Sequence, residues 1–265
     1  MDHPSDEVRA RLQTDRPHSA RVWNYLLGGK DNYPVDSQAG DVILSTFPEF
    51  AAVARLQRKF LARAVRFLAG EAGIRQFLDI GTGLPTADNT HELAQRIAPE
   101  SRIVYVDNDP LVLTHAQALL TSSAEGACAY IDADVRDPGR ILAEAARTLD
   151  LDRPVALTML GIMGQIPDAD RPAELVSTLM SALPPGSHLA LSDGIDTNEA
   201  LNAAVGAYNR QSANTYHLRS PERIAAFFDG LDLVEPGVVT TADWRPDAAP
   251  EDTADVAVCG VARKR

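Results

Sequence analysis

Apolar and polar positions follow two different rhythms along this chain, and the change between them falls near residue 73. Before it, the spacing is helical. ARVWNYLLGG sets Val22, Tyr25 and Leu26 on one face, and Gly28-Gly29 ends the segment. A second short helix is predicted from about Pro34 to Thr46. After Pro48, Val53, Leu56, Phe60, Ala64, Phe67 and Leu68 form a stripe of period 3.6. Residues 19–72 therefore read as helices without a strand, preceded by a flexible arm over 1–18.

From Gln76 onward, short apolar runs alternate with amphipathic ones. QFLDIG, RIVYVD, ACAYIDAD, PVALTMLGIM and HLALSDG predict strands. THELAQRIA, PLVLTHAQALL, GRILAEAARTL and RPAELVSTLMSAL predict the helices between them. Strands this apolar, alternating with helices, predict an α/β fold: a doubly wound, mostly parallel sheet covered on both faces. NEALNAAVGAYNRQSA and PERIAAFFDGL read as further helices. PGVVTTADW and ADVAVCGVA close the chain as two strands with only the polar loop RPDAAPEDT between them, which predicts an antiparallel pair.

Composition narrows the function classes. Of 265 residues, 45% are hydrophobic and 23% charged, enough to bury a core without staples. The net charge of −12, from 37 acids against 25 basic residues, disfavours a general binder of nucleic acid. Arg55, Arg58, Lys59, Arg63 and Arg66 on one helix are either a local basic patch or a solvated face. Two cysteines, Cys128 and Cys259, sit in apolar stretches and read as structural thiols. The opening MDHPSDEVRARLQTDRPHSA is too polar for a secretory signal, and no apolar run approaches the ~20 residues that span a bilayer. A reducing cytoplasm and no membrane are expected.

Candidate chemistry gathers where strands end. Gly81 and Gly83 form G-x-G between a strand and a helix, but Thr86 stands where a third dinucleotide-binding glycine would be. Glycine there lets a ligand approach backbone N–H groups closely. Asp107, 26 positions after Gly81, can accept from both hydroxyls of a ribose, and Asp134 from an adenine amino group. With Asp79, three acids end three successive strands, and parallel order brings them to one sheet edge. GGKDN at residues 28–32 is no phosphate cradle, because no strand precedes it and no Ser or Thr follows the lysine. An acidic pocket suits a nucleoside bearing positive charge, such as S-adenosylmethionine; NAD is the alternative.

FLDIGTG, VYVDNDP and YIDADVRDP, in that order, resemble the first three motifs of the class I S-adenosylmethionine-dependent methyltransferases. With ARVWNYLLGGKDNYPVD and SPERIAAFFDGLDLVEPGVV, the chain is more closely similar to a bacterial family of S-adenosyl methyltransferases whose substrates are unassigned. The resemblance implies a Rossmann-like, seven-stranded sheet with a final antiparallel strand, filling residues 73–265 under an N-terminal helical cap. It implies S-adenosyl-L-methionine as cofactor, with Gly81, Thr82 and Gly83 against its methionine part and Asp79 near the amino group. Asp107 would take the ribose, Asn108 would lie beside the adenine, and Asp134 with Val135 would take the adenine edge. The cap would bring Tyr25 and the loop 28–33 toward the sulfonium, where a tyrosine can make a cation–π contact. One departure stands out: the family's apolar-His-aromatic triplet before Pro-Asp reads GIMGQIPD here, with Gly164 and Gln165 in place of the histidine and aromatic residue.

Methyl transfer from a sulfonium is an in-line displacement whose leaving group needs no proton, so alignment and exclusion of water suffice. No triad or metal cluster is required, and none is found in the sequence. A base is needed only for a protonated acceptor. His217, beside Tyr216 and Asn209 between the fifth strand and the following helix, is a candidate, as is Asp193-Gly194 at that strand's end. His91 and His115 read as helix residues and His188 as a strand opening. The expected activity is methylation of an unidentified small molecule. A SAM- or SAH-binding protein that has lost turnover is the rival the Gly164-Gln165 departure favours, and an NAD-dependent oxidoreductase is the third reading.

Overall fold

The computed structural model describes residues 13–119, 121–212, 214–248 and 255–265. Of the arm expected over 1–18, residues 1–12 lie outside the described residues, as do 249–254 of the polar loop near the end. Among the described residues three helices come first: α1 (Ser19–Leu26), α2 (Pro34–Thr46) and α3 (Phe50–Arg66), the last continuing into a π turn over Phe67–Glu71. Gly28, at φ +79°, takes the chain out of α1 in a conformation that side chains resist.

Strands and helices then alternate as β1 (Gln76–Ile80), α4 (Thr90–Ile97), β2 (Arg102–Asp107), α5 (Pro110–Leu119), β3 (Ala127–Asp132), α6 (Pro138–Ala145), β4 (Ala156–Leu160), α7 (Pro172–Ser181) and β5 (His188–Gly194). After α8 (Glu199–Asn209) and the short α9 (Pro221–Ala225) come β6 (Asp232–Leu233), β7 (Val239–Thr240) and β8 (Ala257–Arg263). The sheet order is β3-β2-β1-β4-β5-β8-β6, parallel through β5 and antiparallel at β8.

Among the described residues eight strands occupy seven positions. β6 and β7 both pair antiparallel with β8 on the edge opposite β5, β6 at Ala262–Arg263 and β7 at Val258–Cys259. Between them lie Pro236, which has no N–H to give a ladder, and Gly237 at φ +91°. The antiparallel pairing expected of the last two segments is present, but PGVVTTADW contributes only two residues to it. Its Trp244 turns inward instead, fully buried edge-on to Phe60 at 5.5 Å and Phe67 at 5.9 Å.

Strand alternation sorts the core. Leu78, Val104, Leu157 and Leu189 pack with α6, α7 and the helix-like turn after α9 on one face. Phe77, Ile103, Ala156 and Ala190 meet Phe60, Ala64, Val65 and Leu68 on the other. The second half of α3 is thus a sheet-covering helix, while its first half belongs with α1, α2 and α8 in a third cluster built on Val22, Ile43, Val53 and Leu201. That third cluster roofs the carboxyl ends of the strands. Arg63, expected on a solvated or basic face, is buried, its guanidinium donating to the carbonyls of Trp244 at 2.7 Å and Thr241 at 2.5 Å. Both thiols are free, Cys259 buried and Cys128 half-buried.

Candidate functional site

The glycine turn is held by backbone geometry. Gly81 (φ +71°) and Gly83 (φ +66°) occupy the left-handed region. The Gly81 N–H donates to Val106 O at 2.8 Å, the next strand's ladder carried one residue further. A Cβ on Gly81 would lie 2.4 Å from Ile162 Cδ1, whereas one on Gly83 would meet nothing within 4 Å. The first glycine therefore packs, and the second faces open space. α4 does not follow at once: residues 84–89 intervene, and its first turn turns to Asp79, with Thr90 Oγ1 donating at 2.6 Å. Thr158 Oγ1 donates to the other oxygen of Asp79 at 2.7 Å. Burial pushes this carboxyl up from its ordinary range, against the pull of the two hydroxyls and of Arg58.

Asp107 ends β2 almost fully buried. Its Oδ2 accepts from Gly83 N and its Oδ1 from Asp109 N, both at 2.9 Å. Burial raises its pKa to about 6, opposed mainly by these bonds. A carboxylate has about four acceptor sites, so each oxygen keeps capacity for a further donor. Just past β3, Asp134 accepts from Asn108 Nδ2 at 3.3 Å and from Arg136 N at 2.9 Å, and Val135 is buried beside it. Asp79, Gly81, Thr82, Gly83, Asp107, Asn108, Asp134 and Val135, all expected from sequence, line one cavity of about 460 Å³ under the helical roof. That size suits a cofactor-sized ligand.

Other expected residues are elsewhere. Tyr25 is not on the cavity wall: its ring packs over Gly40 and its hydroxyl donates to Asp41. Its neighbours on α1, Trp23 and Asn24, are on the wall instead. The loop 28–33 does not reach the cavity; Asn24 Oδ1 fastens it from below, accepting from Asp31 N and Asn32 Nδ2 at 3.0 Å. His217 is not on the cavity wall either; its backbone N–H donates to Gly164 O at 2.6 Å and its ring Nε2 lies 3.1 Å from Thr215 Oγ1. Tyr216, one residue before it, lines the cavity.

The Gly164-Gln165 departure has a steric counterpart. Gly164 lies in a turn of 3₁₀ helix, its N–H donating to Asp193 Oδ2 at 2.6 Å. Tyr216 donates its hydroxyl to the other oxygen of Asp193, and a Cβ on Gly164 would stand 2.4 Å from Tyr216 Cζ. The tyrosine ring fills the space a side chain at 164 would take. Burial raises Asp193 to about 6 and Tyr216 well above its ordinary value. Gln165 Oε1 accepts from Ser19 Oγ at 2.9 Å, joining this turn to α1.

Four contributors escaped the sequence reading. Arg58 lies on the cavity wall, its Nη2 donating to Ala87 O at 2.9 Å and Asp88 O at 2.8 Å. Burial lowers its pKa, and Asp79 is the strongest of the charges opposing that shift. The signal was present: Ala54, Arg58, Leu61 and Val65 follow 4-3-4 spacing, a cation interrupting a buried stripe. Arg21 and Asp109, both buried, pair at 3.1 Å and tie α1 to the end of β2. His18 joins them, its Nδ1 3.0 Å from Asp109, and burial lowers its pKa so that the imidazole on the cavity wall is neutral at pH 7. Among the described residues no group of three or more His, Cys, Asp or Glu is arranged to hold a metal, and no helix is long and apolar enough to cross a membrane.

Solved structures share this fold. No curated protein matches the sequence. A crystal structure of a DUF574 family protein from Streptomyces avermitilis is 45% identical, covering 96% of this chain and 100% of that one with a TM-score of 0.93. A candidate methyltransferase from Thermobifida fusca is 41% identical over 96% of this chain and 97% of its own, with a TM-score of 0.88. The plantazolicin methyltransferase BpumL, at 10% identity and a TM-score of 0.53 over 99% of this chain and 100% of that one, shares the fold. The family model described as S-adenosyl methyltransferase matches residues 5–265. The chain belongs to the S-adenosyl methyltransferase family, enzymes that use S-adenosylmethionine as methyl donor.

Proposed function

We propose that this methyltransferase acts on a small organic acceptor, and that the strand-end residues hold the cofactor in a fixed division of labour. Asp107 receives the ribose hydroxyls, Asn108 and Asp134 border the adenine, and Val135 packs against its ring. Asp79 and Arg58 meet the charged amino-acid end, carboxylate to ammonium and guanidinium to carboxylate. The observation that carries this reading is the joining of adjacent strand ends at one cavity: Gly83 N–H on Asp107, and Asn108 on Asp134. Open space before Gly83 and spare acceptor capacity on Asp107 fit a nucleoside there.

The cofactor supplies an electrophilic methyl group on a sulfonium that departs as a neutral thioether. What the chain does is hold, align and dry the reacting groups, the roof formed by α1, α2 and α8 excluding water. Neutral His18 and the Tyr216–Asp193 pair stand near enough to the cavity to orient an acceptor.

Isothermal titration with S-adenosylmethionine and S-adenosylhomocysteine tests the cofactor half. Micromolar binding is expected, strongly weakened by Asp107→Ala; absence of heat with either ligand rejects it. Incubation with methyl-labelled cofactor and cell extract tests the acceptor half, with label expected in the small-molecule fraction. Labelled RNA would reject that part. A binding protein without turnover is the second reading, favoured by the filling of the Gly164 position by Tyr216; it predicts binding with no label transferred.

A further inference from the structure

The sheet order fixes where the acceptor must approach. Adenosine-side carboxylates sit on β2 and beyond β3, and the glycine turn on β1. A ligand laid across them from β3 to β1 directs its reactive end toward β4 and β5, where Gly161, Ile162 and Gly194 line the same cavity. Above those strand ends the wall changes character. Trp23, Leu27, Phe50, Val205, Tyr216 and Leu218 face the cavity there and are only half-buried, packed at the edge of the third core cluster. Trp23 and Phe50 meet edge to face at 6.0 Å.

Charge is segregated within the cavity. Among the described residues that line it, Asp79, Asp107, Asp134, Arg58 and Arg136 all belong to the β1–β3 side or to α3 above the glycine turn. On the β4–β5 side the polar wall groups are neutral: Gln57 against Gly161, Ser19 with Gln165, Asn214 and Thr215. The nearest charge, Asp193, lies behind the wall and already accepts from the Tyr216 hydroxyl and the Gly164 and Gly194 N–H groups, so a charged acceptor there would lose its hydration for little in return, whereas an apolar one would cover surface that no described side chain of the roof covers.

Resting on the methyl-donor reading above, we infer that the acceptor is an uncharged, predominantly apolar molecule, seated between Trp23 and Phe50 on one wall and Val205, Tyr216 and Leu218 on the other. Its nucleophilic atom is the one polar point it needs, facing the β4–β5 strand ends.

The test uses the full chain saturated with S-adenosylhomocysteine, so that Arg58 and the carboxylates are already engaged. Three probes of one shape and different charge are titrated: 2-naphthol, 2-naphthoate and 2-naphthylmethylammonium. Heat of binding is recorded, with Trp23 fluorescence as a second readout. 2-Naphthol is expected to bind about a hundredfold more tightly than either ion, the cost of an unpaired charge in such a site. Val205→Glu is expected to abolish naphthol binding while S-adenosylhomocysteine binds as before; Leu27→Glu, on the opposite wall, repeats the test should the first variant fail to fold. Equal binding of a charged probe, naphthol binding that survives both substitutions, or no probe bound beside intact S-adenosylhomocysteine binding overturns the inference alone. Failure of S-adenosylhomocysteine itself to bind overturns the donor reading and this inference with it.

Discussion

Arg58→Ala separates the two ends of the cofactor. In the structure Nη2 is committed to the carbonyls of Ala87 and Asp88, so among the described residues Nη1 and Nε remain for a ligand carboxylate. A hydrogen bond to a charged group contributes about 1.5–3 kcal/mol, and a cavity wall that admits water justifies counting one such bond rather than a dry bidentate pair. A loss of about 2 kcal/mol is expected, roughly thirtyfold in Kd for S-adenosylhomocysteine. Methylthioadenosine, which keeps the nucleoside and lacks the amino acid, supplies the control because it never reaches Arg58. Calorimetry on both ligands should show S-adenosylhomocysteine weakened and methylthioadenosine unchanged, with Arg58→Lys intermediate, since lysine keeps the charge and loses the planar fork. An equal loss for both ligands would mean that Arg58 acts only by bracing the loop at Ala87 and Asp88. No loss for either would remove it from the site.

Acid should weaken cofactor binding through Asp107. In the proposed pose the ribose hydroxyls donate to the ionised carboxylate, whose pKa in the free protein is raised to about 6; affinity should therefore be full above pH 7 and fall as pH drops through 6, by about tenfold at pH 5. Titrations across that range check it, and Asp107→Asn should bind weakly without this slope. Gly164→Ala places a Cβ 2.4 Å from Tyr216 Cζ, so the melting temperature should fall by several degrees, with the loss relieved in the Gly164→Ala/Tyr216→Ala double variant. Arg21→Ala leaves Asp109 buried without its guanidinium partner and should cost about 3–5 kcal/mol in urea unfolding. Phe60→Ala, emptying a fully buried ring site against Trp244, should cost about the same by loss of packing.

The sheet was legible because its strands are buried on both faces, which leaves apolar runs that no loop would carry. The strand-end acids were legible for a related reason: a lone carboxylate closing such a run has only the sheet edge to occupy. Reading failed where position depends on which way a helix turns. Tyr25 lies on α1 with Trp23 and Asn24, and only the packing of α1 on α2, with Gly40 opening a niche for the ring, decides that tyrosine faces out. Arg58 was hidden among five basic residues on one helix, three of which the fold uses separately: at the cavity, under Trp244 and in an ion pair with Asp247. Trp244 could not be placed from a strand-like stretch, because β7 stops at Thr240 and a turn over 241–245, in which Asp243 N–H donates to Thr240 O, carries the ring into the core.

Roof and cofactor floor are joined by one short segment. Asp107 and Asp109 are two residues apart, and Asp109 spends its backbone N–H on the Asp107 carboxylate and its side chain on Arg21 and His18 of the roof. Asp36 of α2 completes the tie, accepting from His18 N at 2.9 Å and from Tyr33 N at 2.8 Å. Such a buried ionic group is an expensive way to gain stability, since apolar residues of similar size would hold the roof as well. Apolar residues would leave the orientation of Asp107 unspecified, however, while hydrogen bonds fix the direction of each carboxylate oxygen. An alignment-limited reaction needs the methyl donor and the acceptor held in one frame. In the proposed reading the floor positions the first and the roof walls in the second, which makes the Asp107–Asp109–Arg21 chain the place where that common frame is set.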